Sequence, residues 1–208
     1  MPWIIFGITI SYLLGSIPTG YIFGRLLKGI DIRKFGSGNV GATNVLRVLG
    51  KWPGITVLFL DILKGFLPII LLGNSLLGKT GVSAELLYIS LGISCIAGHN
   101  WTIFLGFKGG KGIAATLGVL LGIALKIAGL KLVLVLLVLT WLLVFTLTKI
   151  VSLASIITAI TLPLYMLVFK QSPIMIFSSI TLLIFVVLRH KSNLIRLFQG
   201  RETRLTFK

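Results

Sequence analysis

Acidic side chains are nearly absent from this sequence: of 208 residues, only Asp31, Asp61, Glu85 and Glu202 carry a carboxylate. Four scattered acids and two histidines cannot assemble an acid-rich metal centre, so a polar site must rely on cations, amides, hydroxyls and backbone N–H groups, which favour anions. Cysteine is reduced to Cys95, which excludes an intrachain disulfide and, among apolar neighbours, reads as a small core residue. Charged residues amount to 12%, about half of the ~25% usual in soluble domains. The first fourteen residues lack the basic segment and small-residue cleavage site of a signal peptide, so they are expected to remain as a first span.

Apolar residues take the vacated share, 56% of the chain at a mean hydropathy of +1.08. Apolar runs of membrane-spanning length recur from end to end, leaving no room for a separate soluble domain. The sequence therefore predicts one polytopic all-α domain over 1–208, with helices over 3–24, 54–73, 84–104, 112–129, 131–148, 150–169 and 174–189. Between the fourth, fifth and sixth of these, either the turns are very tight or one boundary lies elsewhere, with six or eight spans as the fallback counts.

The formal charge of +16 would suggest nucleic acid in a soluble protein; here the placement of the cations sets topology instead. If the first loop faces the cytoplasm, that side holds Arg25, Lys28, Arg33, Lys34, Arg47, Lys51, Lys108, Lys111, Lys149, Arg189, Lys191, Arg196, Arg201, Arg204 and Lys208. The other side keeps Lys79, Lys126, Lys131 and Lys170, and Lys64 falls inside a span. This bias places the N-terminus outside and the C-terminus in the cytoplasm, which requires an odd number of spans; seven satisfies it.

Three polar stretches stand out. In Gly36-Ser37-Gly38-Asn39-Val40-Gly41-Ala42-Thr43-Asn44, followed by Arg47, three glycines let successive N–H groups turn toward one concavity that suits phosphate oxygens. A short helix beginning near Gly41 would add its dipole, and Arg47 a bidentate fork. The second stretch, Gly98-His99-Asn100-Trp101 and then Gly106-Phe107-Lys108-Gly109-Gly110-Lys111-Gly112, sets two lysines among glycines at a helix start. It lacks the spacing of a Walker A loop, so ATP is not implied. The third, Arg189-His190-Lys191-Ser192-Asn193-Leu194-Ile195-Arg196, would bring His190, Asn193 and Arg196 together if helical. Asp61 and Lys64 lie on one face of the second span, where mutual pairing and substrate contact are both open.

Taken together, these blocks resemble the bacterial acyl-phosphate-dependent glycerol-3-phosphate acyltransferases, the PlsY family. The resemblance runs in order through Gly15-Ser16-Ile17-Pro18, the 36–47 stretch, Leu60-Asp61 with Lys64-Gly65, Gly98-His99, Gly106 to Gly112, Ser152-Leu153-Ala154-Ser155, and Arg189-His190 with Asn193, Arg196, Gly200 and Glu202. It implies a seven-span enzyme of the bacterial inner membrane, its site toward the cytoplasm, that works in phospholipid biosynthesis. The reaction implied moves a fatty acyl group from acyl phosphate to the sn-1 hydroxyl of glycerol 3-phosphate, giving lysophosphatidic acid and inorganic phosphate.

On that basis Ser37, Gly38, Asn39, Gly41, Ala42, Thr43, Asn44 and Arg47 are expected to hold one substrate phosphate. Gly109, Gly110, Lys111 and Arg196 complete the binding set, while Lys108, His190 and Asn193 neutralise charge on the leaving group. The expected partners are glycerol 3-phosphate, acyl phosphate and membrane lipid, with no nucleic acid, metal or cofactor. An HxxxxD acid–base pair is missing, since Phe104 follows His99 by five residues and Ile195 follows His190 likewise, so a substrate phosphate oxygen is expected to take the hydroxyl proton. The alternative from another class is a small anion transporter or channel; against it, the later helices carry few polar residues and no repeat is visible.

Overall fold

The computed structural model describes residues 2–205, and every regular element among them is a helix. The chain divides into two units, Met1–Ile123 and Ala124–Lys208.

The first unit begins with α1 (Pro2–Ser16) and α2 (Thr19–Lys28), which the sequence predicted as one helix over 3–24. The break falls at Ile17-Pro18, because Pro18 has no N–H to donate to Leu14, and at the break the Ile17 carbonyl, which accepts from the Thr19 N–H, is also reached by a side chain. After the first glycine-rich loop come α3 (Ala42–Leu49) and α4 (Lys51–Leu67). At Pro68 the helix widens into a π-helical stretch, Pro68–Leu72, in which the Gly73 N–H reaches back to the Pro68 carbonyl, and it runs on as α5 (Gly73–Leu76). The predicted helix over 54–73 thus starts and ends three residues beyond its expected limits. It is followed by α6 (Ala84–Asn100) and α7 (Ile113–Lys126).

Helix α1 packs along α6 through hydroxyl-to-carbonyl bonds, Ser11 Oγ to Leu91 O at 2.5 Å, Ser94 Oγ to Ile8 O at 2.7 Å and Thr102 Oγ1 to Ser16 O at 2.5 Å. Close approach is possible because Gly15 and Gly98 present bare backbone to the opposing helix, where any Cβ would overlap the Cys95 carbonyl or the Tyr12 carbonyl. Beneath the first loop, Ile32, Val40, Val45 and Val57 form a buried apolar cluster.

The second unit contains α8 (Leu130–Thr148), α9 (Val151–Val168), α10 (Pro173–Arg189) and α11 (Lys191–Phe198). Consecutive apolar helices pack side by side, with Trp141 Nε1 donating to Ser155 Oγ and Thr140 Oγ1 lying 2.9 Å from Tyr165 Oη. The turn at Lys149-Ile150 is as tight as the sequence demands, whereas the helix predicted over 112–129 stops at Lys126.

Five helical segments are long and apolar enough to cross a membrane: Pro2–Lys28, Lys51–Leu76, Ala84–Leu105, Leu130–Thr148 and Val151–Val168. A sixth arises if α10 and α11, bent by 65°, count as one span; α7 is apolar but shorter. Leucines and phenylalanines such as Leu143, Leu147, Phe59 and Phe177 are exposed on these helices, as expected where hydrocarbon rather than water surrounds the protein.

Candidate functional site: two glycine loops on a buried charge cluster

The first loop is held chiefly by one side chain. Asn44, only 1% exposed, accepts from the Ser37 N–H through Oδ1 at 2.8 Å, and its Nδ2 donates to the carbonyls of Asn39, Phe35 and Ile32 at 2.8, 3.1 and 3.3 Å. Asn39 in turn accepts from the Gly41 N–H at 2.8 Å. Gly36 and Gly38 take φ of 58° and 72°, a conformation that side chains strain to adopt. With its amide committed inside the loop, Asn44 shapes the cradle rather than lining it. That revises its expected role as a direct ligand.

Ser37, Gly38 and Arg47 are exposed, and Gly41, Ala42 and Thr43 lead into α3, whose first-turn N–H groups have no acceptor within the helix. Upstream, Arg33 makes a bidentate pair with Asp31, Nε to Oδ1 at 2.9 Å and Nη2 to Oδ2 at 2.7 Å. Those hydrogen bonds hold the Asp31 carboxyl down at about 2. Arg33 is therefore neutralised by its own neighbour, and Arg47 is the loop's own cation.

The second loop has no such internal brace; it lies on the end of α6. The Gly110 N–H donates to the His99 carbonyl at 2.9 Å and the Gly109 N–H to the Asn100 carbonyl at 3.2 Å. Gly110 rests directly against the His99 ring, so that any Cβ there would overlap Nε2. Gly112, at φ 80°, turns the chain into α7 over Asn100, with an added Cβ meeting Asn100 Oδ1 at 2.6 Å. Lys108 is exposed and Lys111 half-buried, while Gly109 and Gly110 are buried. Among the described residues, neither Nδ2 nor Oδ1 of the buried Asn100 amide has a hydrogen-bond partner.

Below both loops lies a charge cluster buried in the first unit. Asp61, 1% exposed, accepts from Thr19 Oγ1 at 2.6 Å and pairs with Lys64 Nζ at 2.9 Å. Lys64 also donates to the Ile17 carbonyl at the Pro18 break, at 2.8 Å. His99 Nδ1 stands 3.7 Å from Asp61 Oδ1, beyond hydrogen-bond length but within electrostatic reach. A cavity lined by Ser16, Ile17, Pro18, Thr19, Val40, Lys64, His99 and Thr102 joins this cluster to Val40 of the first loop.

The cavity is thus bordered by Val40 of the 36–44 segment and by His99, on whose ring Gly110 of the 106–112 segment rests. Sequence reasoning singled out Asp61, Lys64 and His99 but missed Thr19, the Ile17 carbonyl and Thr102. The Gly15-Ser16-Ile17-Pro18 block was their available signal, since a proline inside a span frees a carbonyl.

In the second unit the tail is helical as expected, and α11 begins after the buried His190, whose Nδ1 lies 2.8 Å from the Val186 carbonyl. Asn193 and Arg196 are brought together, but on Glu202: Asn193 Nδ2 and Arg196 Nε donate to its two oxygens at 2.6 and 2.7 Å, and Ser152 Oγ adds a third bond at 2.9 Å. Burial works against the charge on Glu202, but these three donors outweigh it and hold the carboxyl below its ordinary range. Glu202 is the organising residue of this set, and the sequence alone gave no reason to rank it above Asn193.

Known proteins of one family are similar to this chain along nearly its whole length. Residues 5–200 match the family described as glycerol-3-phosphate acyltransferase. A glycerol-3-phosphate acyltransferase of Prochlorococcus marinus is 42% identical over 205 residues, covering 97% of this chain and 94% of the relative. One from Gloeobacter violaceus is 40% identical over 200 residues, covering 94% and 91%. The crystal structure of PlsY, an integral membrane glycerol 3-phosphate acyltransferase, in its glycerol 3-phosphate form superposes with a TM-score of 0.85 at 39% identity, covering 98% of this chain and 96% of that one. Its lysophosphatidic acid form gives 0.82 at 38% identity, covering 98% and 95%. The chain is an integral membrane protein of the glycerol-3-phosphate acyltransferase family.

Proposed function

We propose that this protein transfers a fatty acyl group from acyl phosphate to the sn-1 hydroxyl of glycerol 3-phosphate. The hydroxyl oxygen attacks the acyl carbon and the acyl–phosphate C–O bond breaks, releasing inorganic phosphate and lysophosphatidic acid; the hydroxyl proton passes to a phosphate oxygen. The observation that carries this reading is that a member of the glycerol-3-phosphate acyltransferase family holds, within one unit, two glycine loops that carry cations, one bearing Arg47 and the other Lys108 and Lys111 and resting on His99.

Each phosphate needs cations to balance its charge, and each loop carries them, Arg47 in the first and Lys108 and Lys111 in the second. Ser37, Gly38, Gly41, Ala42, Thr43 and Arg47 serve one phosphate; Lys108, Gly109, Gly110 and Lys111 serve another. Asn39 and Asn44 keep the first set in shape.

A mixed anhydride is already activated, so no nucleophilic side chain is required. Cys95 could not serve as one, being buried with its thiol 3.2 Å from the Lys64 carbonyl. His99 is set toward Asp61 by a route other than the HxxxxD spacing, yet its Nε2 is covered by Gly110. That seclusion favours phosphate, rather than imidazole, as the proton acceptor.

For topology we propose seven spans, the five long segments together with α7 and α10, with the loops opening to the cytoplasm of a bacterial inner membrane. The charge bias supports this arrangement. The test of function is an assay of purified protein in lipid, supplied with glycerol 3-phosphate and, in turn, acyl phosphate, acyl-CoA or acyl carrier protein. Product from acyl phosphate alone is expected; equal product from acyl-CoA would overturn the assignment of the donor.

A further inference from the structure

Asp61 and Lys64 are the most deeply placed charges of the first unit, and the proposed chemistry uses neither. Ionised groups so far from water are retained in membrane proteins when something depends on them, and their partners here show what that is. Through Lys64 the pair grips the Ile17 carbonyl at the Pro18 break, and through Thr19 it grips the start of α2. On its other side it faces His99 Nδ1 at 3.7 Å. The opposite edge of that same ring is the surface on which Gly110 rests, and the His99 carbonyl holds the Gly110 N–H.

We infer that the buried Asp61–Lys64 pair, acting through His99, sets the position of the 106–112 loop and with it the affinity for the phosphate gripped there. The inference rests on the reading of that loop as a phosphate grip. Asp61 and Lys64 are positioning residues in this scheme: their approach to His99 fixes the tilt of the ring that floors the loop. Removing one partner alone would strand the other charge in an apolar interior and threaten folding, so the informative change removes both.

The experiment compares Asp61→Asn/Lys64→Met, Thr19→Val, Lys108→Ala and Lys111→Ala with the unaltered protein, each in lipid. KM for glycerol 3-phosphate, KM for acyl phosphate and kcat are measured, alongside thermal unfolding. In the double variant, KM for one of the two substrates is expected to rise about tenfold with kcat within about threefold, because the loop is displaced while the reacting groups remain. Thr19→Val removes a single hydrogen bond to Asp61, leaves both charges in place, and should raise the same KM about threefold. A purely structural role would lower the unfolding temperature and the amount of active protein without moving either KM.

If both KM values stay within about twofold in the double variant while Lys108→Ala and Lys111→Ala raise one, this inference fails and the phosphate grip stands. If the two lysine variants move neither KM, the grip itself fails and the inference with it. Should the double variant not fold, Thr19→Val decides alone on the same criterion.

Discussion

Two buried asparagines, each beneath a glycine loop, are used in opposite ways. Asn44 holds the 36–44 loop with its side chain, accepting from one backbone N–H and donating toward three carbonyls. Asn100 holds the 106–112 loop with its main-chain carbonyl, and its side-chain amide makes no hydrogen bond among the described residues. The first loop is self-braced and depends on one residue; the second is draped over α6 and depends on surfaces it does not own. A self-braced loop fails through loss of an internal amide, whereas a draped loop fails through anything that lifts it off its support.

The sharpest way to break the contrast is Gly110→Ala. Its new methyl overlaps the His99 ring, so the loop must rise, and a loss of about 100-fold in kcat/KM is expected with the protein still folded. Activity within about twofold of the parent would show that the loop does not rest where described.

Next is Asn44→Ala, which strips the brace from the first loop and leaves buried backbone groups unpaired. Destabilisation of about 3 kcal/mol is expected in thermal or denaturant unfolding. A change below about 0.5 kcal/mol would mean that the loop is braced by something else.

Glu202→Gln probes the second unit, where another side chain gathers a polar set. The Glu202 carboxyl lies lower in the fold than its ordinary value of 4.5, so its contribution is complete above that pH and is lost as pH falls through the depressed value. The variant should lose about 1 kcal/mol near neutrality and show a weaker decline of stability on acidification than the parent. Identical acid profiles would remove Glu202 from that role.

The smallest effect is expected at Asn100→Leu. Replacing an unpaired buried amide by an apolar group of similar volume should change stability by no more than about 1 kcal/mol, and in the stabilising direction. A loss as large as that of Asn44→Ala would abolish the distinction between the two loops.

The sequence exposed the helical character and both loops because their signals are local: apolar runs of spanning length, and glycines interleaved with cations. Helix limits were harder wherever a proline offers a choice. Pro18 stops a helix that hydropathy would carry through to residue 24, while Pro68 is absorbed by a π-helical widening that hydropathy does not register. In the site, residue types were readable but allegiances were not. Asn44 looks like a ligand until its four loop partners are seen, and Asn193 and Arg196 until Glu202 is found between them. The Asp61–His99 approach joins two helices far apart in sequence, and no spacing rule announces it.

The central claim is that both loops open on one face of the membrane to grip phosphorylated substrates. In a Cys95→Ala background, single cysteines introduced as Ser37→Cys and Lys108→Cys occupy exposed positions, and each can be challenged with a membrane-impermeant maleimide in sealed vesicles of defined orientation. Both should be labelled from the cytoplasmic side and protected by glycerol 3-phosphate or acyl phosphate; labelling of the two from opposite sides would contradict the account.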